Sequence, residues 1–188
     1  MKKQLFLVLV ICIVSVLFTS VNMFAQTKST SGKNKVEVKF TYTKQKGFSS
    51  NQFAVWIEDA QGRYVKTLYA TKFTATGGWK KRDLALPLWV KKSNLAGMNK
   101  AQIDAITSST PKNGNLSYVW DGTDSAGKVV PSGEYKVFVE ATLRNENIVV
   151  YTATVKPGEK SQTTAQAKYS GPSTEERGMI GSVTVVCN

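Results

Sequence analysis

Four hydroxyl side chains in a row, Thr107, Ser108, Ser109 and Thr110, stand between an acid, Asp104, and Pro111 in the stretch DAITSSTP. Such residues have two common uses. Short hydroxyls bond nearby backbone and so cap turns and helix ends. Alternatively, one of them is a point to which another enzyme attaches a group. The residue before a proline is biased toward extended backbone, so Thr110 is held out of any helix and presented. The chain has no histidine. That removes nucleophile–histidine catalysis and, with no cysteine cluster, the usual zinc and haem sites. No carboxylates are paired at a motif-like spacing. Asp121 and Asp124 lack the repeated oxygen ligands and terminal Glu of a calcium loop, so they are read as turn residues. The chain is expected not to be an enzyme, and no metal is expected.

The hydroxyls must be delivered somewhere and held there. Lys2 and Lys3, the apolar run Leu5–Phe18 and the small Ala25 have the form of an export signal over residues 1–25. The run is too short for a membrane span, which takes about 20 apolar residues. Cys12 lies inside it and follows Ile11 rather than a small residue, which argues against a lipoprotein signal. A polar lead-in, residues 26–33, precedes a single domain over 34–188. No transmembrane segment is expected after cleavage, and the location is periplasmic or secreted. Cys187 is then the only cysteine, so no intrachain disulfide is available; it is either free or paired with another chain. The full chain carries 25 basic and 13 acidic residues, an excess that favours anionic partners. The basic residues are spread out, no nucleic-acid motif occurs, and nucleic acid is not expected as a partner. The runs Lys80–Arg82 and Lys91–Lys92 read as solvated.

Period-two alternation sets the fold class. Val36, Val38, Phe40 and Tyr42 give a half-buried strand. In QFAVWIED, Phe53, Val55 and Ile57 face one way and Ala54 and Trp56 the other, so both faces are partly covered. A turn at Asp59–Gly62 joins it to RYVKTLYA as a hairpin. Gly77, Gly78 and Pro87 break the pattern, and the segment between reads as an irregular excursion with a short helix. NKAQIDAIT makes about two helical turns, capped by Asn99, with Ile103 and Ile106 inward. Strands then return around Tyr118, Val137, Val149 and Val185, separated by Gly, Pro and Asp turns. The expected architecture is all-β, an antiparallel Ig-like β-sandwich with a short irregular or helical excursion.

The segment WDGTDSAGKVVPSGEY resembles the strand–turn–strand signature of the Ig-like domain in flagellar hook-capping proteins, on Trp120, Asp121, Gly122, Asp124, Gly127, Pro131, Gly133 and Tyr135. This implies a fold, not a function. AVWIEDAQGRYVKTLY, the W…RDL…LW segment, DAITSSTP and WDGTDSAGKVVPSGEYKVFVEA together resemble, over about residues 36–155, a family of predicted periplasmic proteins, domain-of-unknown-function family 2271. A histidine that often follows the VEA strand there is replaced here by TLRNENIVVY.

In that family the segment equivalent to DAITSSTP is similar to the acceptor motif of bacterial flavin transferases. The resemblance makes Asp104 the motif acid, Thr107 its first hydroxyl and Thr110 the residue that takes FMN through a phosphoester. Ser108 and Ser109 stand where Gly and Ala are usual. It further implies covalent FMN as cofactor, and a flavin transferase and a membrane redox protein as partners. Trp79, Trp89, Tyr118 and Trp120 are candidates to stack on the flavin, and Lys112 to meet its phosphate. The other reading is a non-catalytic Ig-like binding or structural module of the cell envelope. In that reading the hydroxyls belong to an ordinary loop and the aromatics to the core.

Export is checked by N-terminal sequencing of protein taken from the native envelope. The expected first residue is Gln26; a chain still beginning at Met1 contradicts the signal.

Overall fold

The computed structural model describes residues 35–46, 51–144, 146–172 and 177–188. The export signal and the 26–33 lead-in lie outside the described residues. The alternating segments all become strands. They are β1 (Val36–Tyr42), β2 (Gln52–Asp59), β3 (Tyr64–Thr71), β5 (Gly114–Trp120), β6 (Tyr135–Arg144), β7 (Asn147–Val155) and β10 (Thr184–Cys187). Three short strands have no such signature: β4 (Thr107–Ser108), β8 (Ser161–Thr164) and β9 (Gln166–Ser170). Their side chains are almost all polar and exposed, so no hydrophobic period marks them.

Two sheets form. One has the order β5-β1-β10-β8 and the other β4-β3-β2-β6-β7-β9. All neighbours are antiparallel except β3 and β4, which run parallel. The sheets face each other as an all-β sandwich. Its core takes Val36, Val38, Phe40 and Tyr42 from β1, Phe53, Val55 and Ile57 from β2, and the inward residues of β6, β7 and β10. β5 and β6 fall in opposite sheets, so the Asp- and Gly-rich segment 121–134 is a crossover between them. Asp121 accepts the Thr123 N–H, and Asp124 accepts those of Ala126 and Lys128, as turn residues do. Cys187 is a buried free thiol. That places it in the core and out of reach of another chain.

The excursion forms a third layer on the outer face of the larger sheet. It contains helix α1 (Lys72–Ala75), a 3-10 turn at Gly78–Lys80, helix α2 (Pro87–Lys92), a 3-10 turn at Leu95–Gly97 and helix α3 (Lys100–Ile106). Ala54 and Trp56 turn outward to meet it, as their alternation with Phe53, Val55 and Ile57 requires. They pack with Ala70, Ala75, Leu86, Trp89 and Leu95 in a second apolar cluster. Helices this short are not stable alone. Burial holds them, at about 2 kcal/mol for a side chain such as Leu86.

Three successive outward positions of β6 fix this layer in place. Phe138 stacks on Trp56, with ring centroids 5.0 Å apart and planes 9° from parallel. Glu140 is buried and accepts the first free N–H groups of α2, from Leu88 at 3.1 Å and Trp89 at 2.7 Å. Thr142 accepts the Leu86 N–H at 3.1 Å and donates to the Leu84 carbonyl at 2.8 Å. Leu86 needs this clamp because it has the left-handed φ of 58°, unfavourable for a branched side chain. Pro87 follows at the first helical position, where its missing N–H costs nothing.

At the other end of α2, Lys92 bonds Glu58 at 2.9 Å and the Gly62 carbonyl at 2.8 Å. The solvated reading therefore fails for Lys92. The carboxylate of Glu58 is buried, also accepts from the Trp56 indole at 2.9 Å, and needs a cation.

Burial raises the Glu140 carboxyl to about 7, against the two N–H groups that favour its charge. Between its ordinary value near 4.5 and about 7, the folded protein holds a proton that the unfolded chain has released. This group therefore lowers stability as pH rises through that window, by about 3 kcal/mol, and contributes no slope outside it. Denaturant unfolding of wild type and Glu140→Gln from pH 4.5 to 8 checks this. Wild type is expected to lose stability relative to the variant as pH rises, and parallel curves contradict it.

Candidate functional site

The hydroxyl segment starts on α3. Asn99 caps this helix as the sequence predicts: its side chain accepts the Gln102 N–H at 3.0 Å, and the Gln102 side chain accepts the Asn99 N–H at 2.9 Å. No residue of α3 is fully buried; Ile103 and Ile106 lie half-buried against the second apolar cluster. Asp104 is on the exposed side, paired with Lys100 one turn earlier. Thr107 ends the helix, and its hydroxyl donates to the Ile103 carbonyl at 2.9 Å. That hydroxyl is engaged in satisfying the helix end.

Beyond it the chain becomes β4, the parallel edge strand, with Thr107 opposite Ala70 and Ser108 opposite Thr71. Ser108 is thus extended and does not take a positive φ. The glycine usual at this motif position is not needed for backbone geometry here. Ser109 and Thr110 come next on the surface, in the link from the edge of one sheet to β5 at the edge of the other. Both are exposed, and the Thr110 hydroxyl makes no hydrogen bond among the described residues. Asn113 anchors the far end of the link by accepting the Lys44 N–H at 2.8 Å.

Beneath the link lies an aromatic cluster. Phe53 sits 4.8 Å from Tyr69 and 5.3 Å from Tyr42, and Tyr118 lies 5.0 Å from Tyr69, between ring centroids. The phenols of Tyr42 and Tyr69 are buried with no well-formed hydrogen bond among the described residues, although Tyr69 feels the nearby Ser108 hydroxyl. Burial pushes Tyr69 up to about 12 and raises Tyr42 and Tyr118 as well. All three therefore stay neutral.

Beside the segment opens a cleft of about 490 Å³. Its walls are α1, the Gly78–Lys80 turn, the 95–98 stretch and α3 itself, through Lys100, Ile103 and Asp104. Trp79 is half-buried in one wall, with Lys80 over its ring at 5.5 Å. The turn that carries Trp79 folds back so closely on α1 that a Cβ on Gly78 would lie 2.3 Å from the Phe73 carbonyl oxygen, so only glycine fits. Lys72 and Lys80 add positive charge to the rim. The volume is that of a small-molecule site, and the lining mixes apolar faces with cations.

The sequence candidates separate cleanly. Asp104 is exposed on α3, Thr107 is half-buried at its end, and Thr110 is exposed in the link after it. Of the stacking candidates only Trp79 faces the cleft. Trp89 is fully buried and donates to Thr67 at 2.9 Å; Trp120 is fully buried and donates to the Thr123 carbonyl at 2.8 Å. Neither can reach a surface ligand. Tyr118 packs in the core aromatic cluster. Lys112 is exposed in the link. Lys72, Met98 and Lys100 carried no sequence signal, because they meet only through the fold of the excursion. Among the described residues no group of acids and cysteines is arranged to hold a metal, and no helix is long and apolar enough to cross a membrane.

This is a β-sandwich that carries a helical layer on one sheet and an exposed hydroxyl link at its edge. Residues 33–174 match the family described as "Predicted periplasmic protein (DUF2271)", and the chain belongs to that family. The family places it in the periplasm, the location that the N-terminal signal points to. No curated protein and no solved structure shows a significant match to the chain.

Asn99→Ala is expected to destabilise α3 by about 1 kcal/mol. Hydrogen exchange should quicken at amides 100–106 and stay unchanged in β2 and β6. Uniform quickening, or none, would show that the cap does not control this surface.

Proposed function

We propose that this protein is a flavin carrier of the periplasm, not itself an enzyme, in which FMN esterified on Thr110 passes electrons to and from a membrane redox protein. A flavin transferase makes the bond. The Thr110 oxygen attacks the FMN-side phosphorus of flavin adenine dinucleotide, the pyrophosphate P–O bond breaks, and AMP leaves as the hydroxyl proton is taken up. The one observation that supports this most is the contrast between hydroxyls: that of Thr107 is engaged with the helix end, whereas that of Thr110 is exposed and makes no hydrogen bond among the described residues.

An acceptor has little chemistry to perform, since the transferase brings metal and base. It has to offer a hydroxyl on a segment that another active site can engage. Asp104, on a helix with no buried residue, supplies a recognisable charge. Thr107 shapes the segment by closing α3. When bound, the flavin supplies the redox chemistry, and the chain orients and shields it. Lack of histidine is no obstacle to such a role.

Coexpression of the full chain with a flavin transferase tests the reading. Wild type is expected to give a band that fluoresces in a denaturing gel, with an intact mass increased by FMN less one water. Thr110→Ala should remove both signals. Asp104→Ala should weaken labelling, and Ser109→Ala should leave it intact. A wild type that never labels with a competent transferase, or a Thr110→Ala variant that labels as well, hands the function to the non-catalytic binding module.

A further inference from the structure

We propose that the cleft beside α3 is the seat of the flavin ring, with Trp79 as the stacking face and Lys72 and Lys80 as the cations that set its electron affinity. This rests on the reading of Thr110 as the FMN-bearing residue and adds where the tethered ring goes.

Continuity carries the argument. α3 contributes Asp104 to the segment and Lys100, Ile103 and Asp104 to the cleft wall. β4 runs parallel to β3 and sets Ser108 opposite Thr71. The next residue after Thr71 is Lys72, which lines the cleft. Thr110 is two residues past Ser108, a reach of about 7 Å of extended chain. The cleft wall ends at Asp104, so a flexible ribityl phosphate arm fixed on Thr110 has to reach back past the end of α3 to enter the cleft.

The lining suits this occupant. An isoalloxazine ring is flat and aromatic, with a polar rim that becomes anionic on reduction. Trp79, Leu95, Met98 and Ile103 offer apolar and polarisable surface for the flat part. Lys80 now lies over the Trp79 ring, but it is an exposed, flexible side chain that a stacked ring displaces. Lys100 is already paired with Asp104, so the cations left for the rim are Lys72 and Lys80. Their charge favours the reduced, anionic ring over the oxidised one.

The test uses labelled full-length protein, with native flavin fluorescence compared to that of the same sample in guanidinium. Indole in contact with a flavin quenches it. Wild type is therefore expected to be several-fold dimmer folded than denatured. Trp79→Ala should recover most of that difference with unchanged labelling in the gel. Lys72→Glu, at an exposed position that leaves the fold intact, should shift the flavin midpoint potential to more negative values without changing labelling. Labelled wild type that is as bright folded as denatured overturns the seat and leaves the attachment standing, as does quenching that survives Trp79→Ala with a Lys72→Glu potential equal to wild type. If Thr110 does not label at all, free FMN is titrated against the purified chain. Tryptophan quenching that is lost in Trp79→Ala keeps the cleft as a flavin site in its own right, and no quenching overturns it.

Discussion

A buried carboxylate at the start of a six-residue helix holds the helical layer of this protein in place. Glu140 has little water around it and receives two backbone N–H groups that α2 could not satisfy internally. Helix and carboxylate each need the other: the N–H groups would be orphaned without the acceptor, and the acceptor would be unpaired without the helix. Two residues further along β6, Thr142 holds the left-handed Leu86 in the same manner. Two residues earlier, Phe138 stacks on Trp56. One strand face, taken at every second residue, therefore docks the whole excursion.

The position of the hydroxyl segment depends on that docking. With α2 fixed at both ends, by Glu140 and by the Glu58–Lys92 pair, the 95–98 turn and α3 must return along the sheet toward β3. α3 then ends where β4 can pair with the last residues of β3. That pairing brings the hydroxyls to the sheet edge and opens the cleft between α1 and α3. A polar link with few contacts of its own thus acquires a defined position from a layer packed on the far side of the sheet.

This division of labour separates a rigid body from a surface segment. The sandwich and second apolar cluster supply rigidity, whereas α3 and the link stay on the surface with half-buried isoleucines as their attachment. A modifying enzyme can engage such a segment without unfolding the core. The neutral phenols and aromatic rings beneath it keep that end of the sandwich apolar and uncharged.

The amino-acid order by itself determined the strands that alternate, the two-faced character of β2, the Asn99 cap, the turn roles of Asp121 and Asp124, and the candidate hydroxyls. Each arises from short-range rules: side-chain period, capping and turn chemistry act over a few residues. It did not reveal β8 and β9, whose polar residues carry no period, nor that Trp89 and Trp120 are core while Trp79 faces a cleft. Lys92 read as solvent-facing until Glu58, 34 positions earlier, supplied its buried partner. Tertiary structure alone decided that Lys72, Trp79, Met98 and Lys100 share one cavity. The reason is physical: such outcomes depend on contacts between residues far apart in sequence, and no local pattern encodes which distant face a side chain will meet.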